Sequence, residues 1–266
     1  MTTPRIAAVA TATPPHRFTQ AELLALAGYR DRQRRGFFER SEIDGRHLWV
    51  DPARFQPSES VDEAQQRFQT GALELGEAAA RRALARAGWS AADLDFLTTT
   101  TCTGRLTPSL DAHLIQRLGC RPEIQRAHIG DTGCASAVVA LQQAWNHLQA
   151  FSGHRALVVA VEVCSAAYFL DERLESAVAH AIFADGAGAL ALAAGAPPGH
   201  GIRVSGGPAP RGALQGRAPH RRRDGLRDGP GPVGGAGPQA GRHPGLGVAL
   251  GGAAGAGAGA GPARPR

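Results

Sequence analysis

The fold prediction begins with residues 124–150, which have the sequence IQRAHIGDTGCASAVVALQQAWNHLQA. The first six residues form a short run that ends at a glycine, and they predict a strand. The turn GDTG at 130–133 leads into residues 135–150, where Ala, Val and Leu recur every three or four positions. This spacing predicts an apolar helix. Cys134 therefore lies where a tight turn meets a helix.

Further predicted strands and helices alternate on both sides of this stretch. Apolar or Thr-rich runs predict strands at 6–12, 94–103 and 156–163, and the last is apolar enough to be buried on both faces. Helices are predicted at 21–28, after a capping box of Thr19 and Glu22, at 70–87 and at 108–118. Glycines 28, 88 and 119 are suited to end these helices. The alternation predicts an α/β fold with crossover connections.

Charge is distributed unevenly along the chain. The 266 residues carry a formal charge of +6, and every basic side chain is Arg because the sequence has no Lys. Residues 1–206 hold 20 Arg against 21 Asp and Glu, a balance of −1, and residues 207–266 hold 9 Arg against 2 Asp, a balance of +7. A nucleic-acid function would rest on the charge of the last 60 residues alone. We expect no nucleic-acid partner.

The same last segment has the composition of a disordered chain. Residues 207–266 contain 18 Gly and 9 Pro and no aromatic residue, so they cannot bury enough apolar surface to offset the entropy of folding. We therefore predict one globular domain at 1–206 and a disordered tail at 207–266.

The sequence also bears on the location of the protein. Its start lacks the basic and apolar regions of a signal peptide, and no apolar run approaches the roughly 20 residues of a membrane span. The four cysteines at 102, 120, 134 and 164 lack the spacing of zinc sites and do not suggest a secreted disulfide framework. We expect a cytoplasmic protein with reduced thiols, no metal and no membrane association.

The position of Cys134 suits a nucleophile. Unpaired amides and the dipole at a helix N-terminus favour the thiolate, and Gly133 allows the chain to turn tightly so that the sulfur can face a cavity. The spacing alone leaves open a second interpretation, in which Cys134 is a small buried residue of a tight joint.

Six segments together resemble the type III polyketide synthases, the chalcone and stilbene synthase family. They occur in the order and near the spacing of that family, over roughly residues 5–206. The segments are Thr11–Pro14, Ser41–Arg46, Cys102–Gly104 followed by Pro108, GDTGCASA at 130–137, Glu162, and Phe183–Gly188.

The resemblance implies a thiolase-like layered α/β/α fold, of which this chain has the N-terminal half, and a homodimer when complete. It also implies a reaction in which an acyl group from an acyl-CoA is loaded on Cys134 and extended with malonyl-CoA units. A thioester suits this chemistry because it holds the growing chain while its carbonyl stays electrophilic. No metal, cofactor or acyl carrier protein is implied, since coenzyme A thioesters are the substrates.

Further residues receive roles only through this resemblance. Phe183 matches the Phe that gates the active site, with core packing as the alternative. Arg40 matches a position that binds coenzyme A phosphates, and Arg35 lies near it. A guanidinium suits phosphate, but an Arg cluster can also be a solvated face.

Two pocket residues and a turn are implied in the same way. Cys164 falls at a pocket position, where it lines the starter cavity or is a buried filler. Thr103 matches a loop near the pocket and the dimer interface. Asp185, Gly186 and Gly188 match a structural turn without a chemical role, and His180 before Phe183 is expected to be a satisfied core or surface residue.

The sequence departs from the family after residue 206. The family uses a His and an Asn from its C-terminal half together with the Cys, whereas the single Asn here, Asn146, lies in the helix after Cys134. His200, His220 and His243 lie in no family motif. We hypothesise a frameshift near residue 206, with a naturally disordered tail as the alternative, and sequencing the locus decides between them.

Three functions follow in this order. The first is a type III polyketide synthase or its N-terminal half. A ketoacyl-ACP synthase III, with the same fold and Cys but carrier-bound malonate, is the enzymatic alternative; the segment Ser41–Arg46 and Phe183 favour the first. The third is an inactive remnant, and we expect no condensation activity from the 266-residue chain. The starter, the number of extensions and the cyclisation mode do not follow from the sequence.

Overall fold

A computed structural model describes residues 3–53, 59–167 and 173–195. The predicted tail at 207–266 and the proposed boundary at residue 206 lie outside these residues, as do His200, His220 and His243. No helix within the described ranges is long and apolar enough to cross a membrane.

Helices and strands alternate along most of the described chain. Their order is β1 (Pro4–Ala12), β2 (Arg17–Thr19), α1 (Gln20–Ala27), α2 (Arg32–Glu39), β3 (Gly45–His47), α3 (Val61–Ala87), β4 (Phe96–Thr101), α4 (Leu110–Leu118), β5 (Gln125–Gly130), α5 (Ser136–Ala150), β6 (Arg155–Val163), α6 (Leu174–Ile182) and β7 (Asp185–Ala194). The strands and helices predicted from sequence are confirmed, with shifts at their ends.

Local capping explains where the first long helices begin and end. The Thr19 hydroxyl accepts the Glu22 amide, and the Glu22 carboxylate accepts the Thr19 amide, as predicted for α1. Helix α3 begins at 61 rather than at 70, because Ser60 and Glu63 form a second capping box. Gly88 ends α3 in the left-handed conformation, as predicted.

Five strands form one mixed sheet in the order β1-β7-β6-β4-β5. Strand β4 is parallel to both β5 and β6, whereas β7 is antiparallel to both β6 and β1. Strand β6 lies in the middle, and its side chains are buried on both faces, since Leu157, Val158 and Val159 are at most 2% exposed. The prediction of a doubly buried strand is confirmed.

Helices cover the two faces of this sheet. Small residues of α3, such as Ala72 and Ala79, bring this helix close to one face, and Leu114 of α4 packs in the same core. On the other face, Ala140 and Ala144 of α5 pack against Phe96 and Val158. The layered α/β/α arrangement is confirmed.

A smaller core lies beside the sheet and includes residues from α1, α2, β2 and α6. It contains Phe18, Leu23, Phe38, Leu48, Val50 and Ala181. The prediction of a turn at residues 185–188 is wrong, because these residues begin β7. Gly186 pairs with Glu162 on β6, and Gly188 pairs with Thr11 on β1, so two neighbouring strands hold this glycine-rich segment extended.

Candidate active site

Three cysteines follow the ends of three neighbouring strands. Cys102 comes directly after β4, Cys164 comes directly after β6, and Cys134 lies four residues beyond β5. Since these strands are parallel, their carboxyl ends meet at one edge of the sheet. Within the described residues, no three His, Cys, Asp or Glu side chains are arranged to share a metal ion.

Cys134 is exposed and lies in a short 3-10 turn, Gly133–Ala135, that runs into α5. Gly133 has a φ of +66°, a conformation that favours glycine and lets the chain reverse before the helix. The alternative that Cys134 is a small buried residue is therefore wrong. Its role as nucleophile stays a prediction.

Cys102 lies against the carboxylate of Glu162. The Cys102 amide donates to Glu162 Oε1 at 3.0 Å and to Oε2 at 3.2 Å. Partial desolvation of the sulfur and then the Glu162 carboxylate raise the pKa of the Cys102 thiol to about 11, although the residue as a whole is exposed. The Cys134 thiol also acts on this pKa, so the two sulfurs are close enough to interact.

Thr103 and Cys164 occupy the next positions along this edge. The Thr103 hydroxyl accepts the Val163 amide at 2.9 Å and so ties the loop after β4 to the end of β6. Cys164 is half-buried, and burial followed by the charges of Asp185 and Glu162 raises its pKa to about 12. Both predicted pocket roles remain predictions.

Phe183 lies at the same edge of the sheet as Cys164. Strand β7 begins at Asp185, which pairs with Val163, and Phe183 precedes β7 by two residues. The Phe183 side chain is 45% exposed, so the alternative of core packing is wrong for the described part of the chain.

Two side chains hold the backbone that leads to Phe183. The buried guanidinium of Arg46 donates to the carbonyl oxygens of His180 at 2.7 Å and of Phe183 at 2.5 Å. Gln20 accepts from Arg46 and donates to the Ala181 carbonyl at 2.8 Å. Because the last carbonyls of a helix have no partners within it, these contacts serve as a cap for α6.

The two predicted phosphate-binding arginines are exposed and lie at the C-terminal part of α2. Arg35 forms an ion pair with Glu39 at 2.8 Å, and the Arg40 guanidinium lies over Gly36. Ser41, next to Arg40, accepts a hydrogen bond from the same Gln20 that contacts α6. The arginines and Phe183 thus belong to one connected region, and phosphate binding stays a prediction.

Asp185 and His180 are buried and fully engaged. Asp185 accepts the amides of Trp49 at 2.6 Å and Ser165 at 2.8 Å, and burial raises its pKa. His180 Nδ1 is 2.8 Å from the Tyr29 hydroxyl, as expected of a satisfied core histidine.

Sequence reasoning gave no role to Cys102, Gln20 or Arg46. Cys102 could have been found, because three cysteines each follow a predicted strand and parallel strands share an edge. Arg46 was part of a quoted family segment, but only tertiary structure brings its guanidinium to α6.

A sequence model described as the N-terminal domain of chalcone and stilbene synthases matches residues 52–198. The chain belongs to the chalcone and stilbene synthase family. The match contains Cys134 and Phe183, whereas Gln20, Arg35, Arg40 and Arg46 precede it. The recognition from sequence is confirmed.

Bacterial proteins of this chalcone and stilbene synthase family are similar to the chain. A 3,5-dihydroxyphenylacetyl-CoA synthase from Streptomyces toyocaensis is 37% identical over 208 residues, which cover 77% of this chain and 53% of that protein. A 1,3,6,8-tetrahydroxynaphthalene synthase from Streptomyces peucetius subsp. caesius is 34% identical over 197 residues, or 71% of this chain and 52% of that protein. The chain spans about half the length of these curated relatives.

Solved structures of type III polyketide synthases share the fold. PKS-I from the brown alga Ectocarpus siliculosus superposes with a TM-score of 0.67 at 31% identity, covering 74% of this chain and 57% of that one. The bacterial type III 1,3,6,8-tetrahydroxynaphthalene synthase from Streptomyces coelicolor A3(2) gives a TM-score of 0.64 at 28% identity, covering 71% and 56%. The predicted thiolase-like fold, as its N-terminal half, is confirmed.

Proposed function

We propose that this chain is the acyl-accepting half of a type III polyketide synthase. The observation that carries the proposal is the exposed Cys134 on a turn before α5, at the sheet edge shared with Phe183. In the loading step the Cys134 thiolate attacks the carbonyl of an acyl-CoA. A thioester to Cys134 forms, and coenzyme A leaves as its thiolate.

The extension step needs the complete enzyme. There malonyl-CoA loses carbon dioxide, and the resulting enolate attacks the Cys134 thioester. In this proposal Phe183 gates the site, Cys164 and Thr103 border the acyl chain, and Arg40 with Arg35 binds coenzyme A phosphates. The exposure of both guanidinium groups and their link through Ser41 and Gln20 to the Phe183 segment support this arrangement.

Coenzyme A thioesters are the proposed substrates, with no further cofactor, and the complete enzyme is proposed to be a homodimer. The described Asn146 supports the expectation that this chain alone does not condense. It lies ten residues along α5 from Ser136, about 15 Å from the start of the helix at 1.5 Å per residue. It is therefore far from Cys134.

Loading is tested on the purified chain with acetyl-CoA and malonyl-CoA. We expect an acyl group on the tryptic peptide 127–155, which contains Cys134 as its only cysteine, and its release by hydroxylamine. Cys134→Ser should abolish the label, whereas the matched Cys120→Ser should retain it. Equal labelling of Cys134→Ser would overturn the proposal.

Condensation is tested separately. We expect no polyketide from the 266-residue chain and malonyl-CoA, and polyketide formation would contradict this expectation. In a full-length enzyme restored from the locus, malonyl-CoA should support extension without a carrier protein. Strict dependence on malonyl carrier protein would favour the ketoacyl-ACP synthase III alternative.

A further inference from the structure

Cys102 is a second thiol beside the proposed nucleophile, and the loading chemistry does not use it. We propose that Cys102 and Cys134 form a reversible disulfide when a hydroperoxide oxidises this edge of the sheet. The modification consumes the Cys134 thiol, and its effect on acyl loading rests on the proposed function.

Strand register brings the two cysteines together. Thr101 of β4 pairs with Gly130 of β5, and neighbouring strands lie about 4.8 Å apart. Cys102 is the next residue after Thr101, and Cys134 lies on the turn that follows Gly130. A disulfide joins Cα atoms about 4.4–6.8 Å apart, which is the scale of this separation.

An ion pair holds the two loops against each other. Arg105, three residues after Cys102, donates to Asp131 Oδ2 at 2.8 Å, and Asp131 lies three residues before Cys134. The loops therefore remain adjacent beyond the last strand pair. Cys102 and Cys134 are both exposed, so a small peroxide can reach the pair.

Glu162 gives the two thiols different parts in the reaction. Because its carboxylate and partial desolvation raise the pKa of Cys102 to about 11, Cys102 is a protonated thiol near neutral pH. Cys134 is then the residue that attacks the peroxide. The Cys134 thiolate takes one oxygen and becomes a sulfenic acid, and the peroxide leaves as hydroxide.

The second step closes the disulfide. The Cys102 sulfur attacks the Cys134 sulfenic sulfur, the S–O bond breaks, and hydroxide leaves. The Cys102 proton passes to that hydroxide, with the adjacent Glu162 carboxylate as the relay, so water is the product. Across both steps two thiols lose two hydrogens, and one hydroperoxide molecule is reduced; reduction by dithiothreitol reverses the change.

The remaining cysteines are less suited to this reaction. Cys164 also interacts with Cys102, but it is half-buried, and its pKa is raised to about 12. Cys120 is half-buried beyond the end of α4 and packs against the core on the α3 side of the sheet. A bond between 102 and 134 is therefore expected in preference to one between 102 and 164.

The sequence makes the bond simple to map. Cleavage after Arg places each cysteine in a separate peptide, at 87–105, 118–126, 127–155 and 156–173. The purified chain is treated with hydrogen peroxide and digested without reduction. We expect peptide 87–105 linked to 127–155, loss of two hydrogens from the intact mass, and full reversal by dithiothreitol.

Variants separate this pair from general oxidation. Cys102→Ser should remove the linked peptide and leave Cys134 to proceed to sulfinic acid, whereas the matched Cys120→Ser should keep the link. Circular dichroism checks that each variant is folded. Cys134 oxidation that is the same in wild type and Cys102→Ser, or a dominant link between 87–105 and 156–173, would overturn the proposal.

A final arm separates this proposal from the proposed function. Peroxide-treated chain is incubated with acetyl-CoA before and after dithiothreitol, and we expect labelling of Cys134 only after reduction. If the linked peptide forms but reduced Cys134 is never acylated, the disulfide stands and the proposed function fails. If acylation occurs but no link forms, the disulfide proposal alone fails.

Discussion

Helices α3 and α5 cover opposite faces of the same sheet, but they differ in what covers their outer sides. Helix α3 packs on the sheet and on α4, and the Trp49 ring lies so close to Gly71 that a Cβ there would be 2.8 Å from it. Helix α5 buries a single ridge of every fourth residue, Ser136, Ala140, Ala144 and Leu148. Its other side exposes 69% of Val138 and 38% of Trp145.

This difference distinguishes a finished surface from an unfinished one. Contiguous exposed apolar side chains mark interaction surfaces in soluble proteins. The curated relatives are about twice as long as the matched segment, so we expect their remaining half to pack on the face of α5 that Val138 and Trp145 occupy. Four predictions test the contrast between the two helices.

The largest effect is expected inside the α3 layer. Phe68 is 1% exposed, and its ring packs against Gly104 in the loop after Cys102. Phe68→Ala should lower the free energy of unfolding by about 4 kcal/mol, because it leaves a cavity. Urea unfolding measures the loss, and Val61→Ala, at a position of the same helix that is 72% exposed, is the control. Equal effects of the two changes would mean that α3 is not anchored as described.

The two sides of α5 should differ by a smaller amount. Leu148→Ala should destabilise the fold by about 3 kcal/mol, since Leu148 is fully buried against the sheet. Trp145→Ala should change the free energy of unfolding by no more than about 0.5 kcal/mol, as usual for an exposed site. A large loss at Trp145 would show that the outer face is already covered in solution.

Asp185 tests the attachment of the covered layer to the sheet. Its carboxylate binds Ser165, whose hydroxyl accepts a 2.7 Å hydrogen bond from Arg67 of α3. Asp185→Asn should cost about 2 kcal/mol, because an amide cannot accept from both backbone amides and the Ser165 hydroxyl.

The effect should also depend on pH. Burial raises the pKa of Asp185 above the ordinary value of 3.8, so the folded chain holds this proton more tightly than the unfolded chain. The resulting stability is complete below the ordinary pKa and is lost as pH rises through the raised pKa. The stability difference between wild type and Asp185→Asn should therefore shrink over that range, and a difference independent of pH would contradict the assignment.

The smallest effect on stability is expected for polar changes on the outer side of α5. Val138→Gln with Trp145→Gln should leave the unfolding midpoint nearly unchanged and reduce self-association measured by sedimentation. The matched pair Gln142→Ala and Gln149→Ala, on the same helix, should not reduce it. Unchanged association in the first pair would mean that this face is not adhesive.

Local signals made much of the fold predictable. The Thr19 capping box and Gly88 determine helix ends within a few residues of chain, and the apolar run of β6 shows its central place. Helix α2 gave no such signal, because RQRRGFFE has no regular apolar spacing and its burial depends on Phe38 in the smaller core. Strand β7 was missed because glycines disfavour strands, and its two neighbours supply the missing stability.

The same distinction applies to the candidate site. Cys134 was predictable because a turn and a helix adjacent in sequence create its surroundings. The contact of Cys102 with Glu162 depends on the register between β4 and β6, which single-sequence patterns do not specify. Alternation of apolar residues fixes which face a residue occupies but not its partner on the next strand.

The clamp formed by Gln20 and Arg46 bears on where this domain can be cut. The segment matched by the family model starts at residue 52, so an excised fragment 52–198 would omit both side chains that hold the carbonyls before and at Phe183. It would also omit β1 and leave β7 with an open edge. The stretch that sequence similarity defines is therefore smaller than the unit that can fold, and autonomous folding requires the first fifty residues as well.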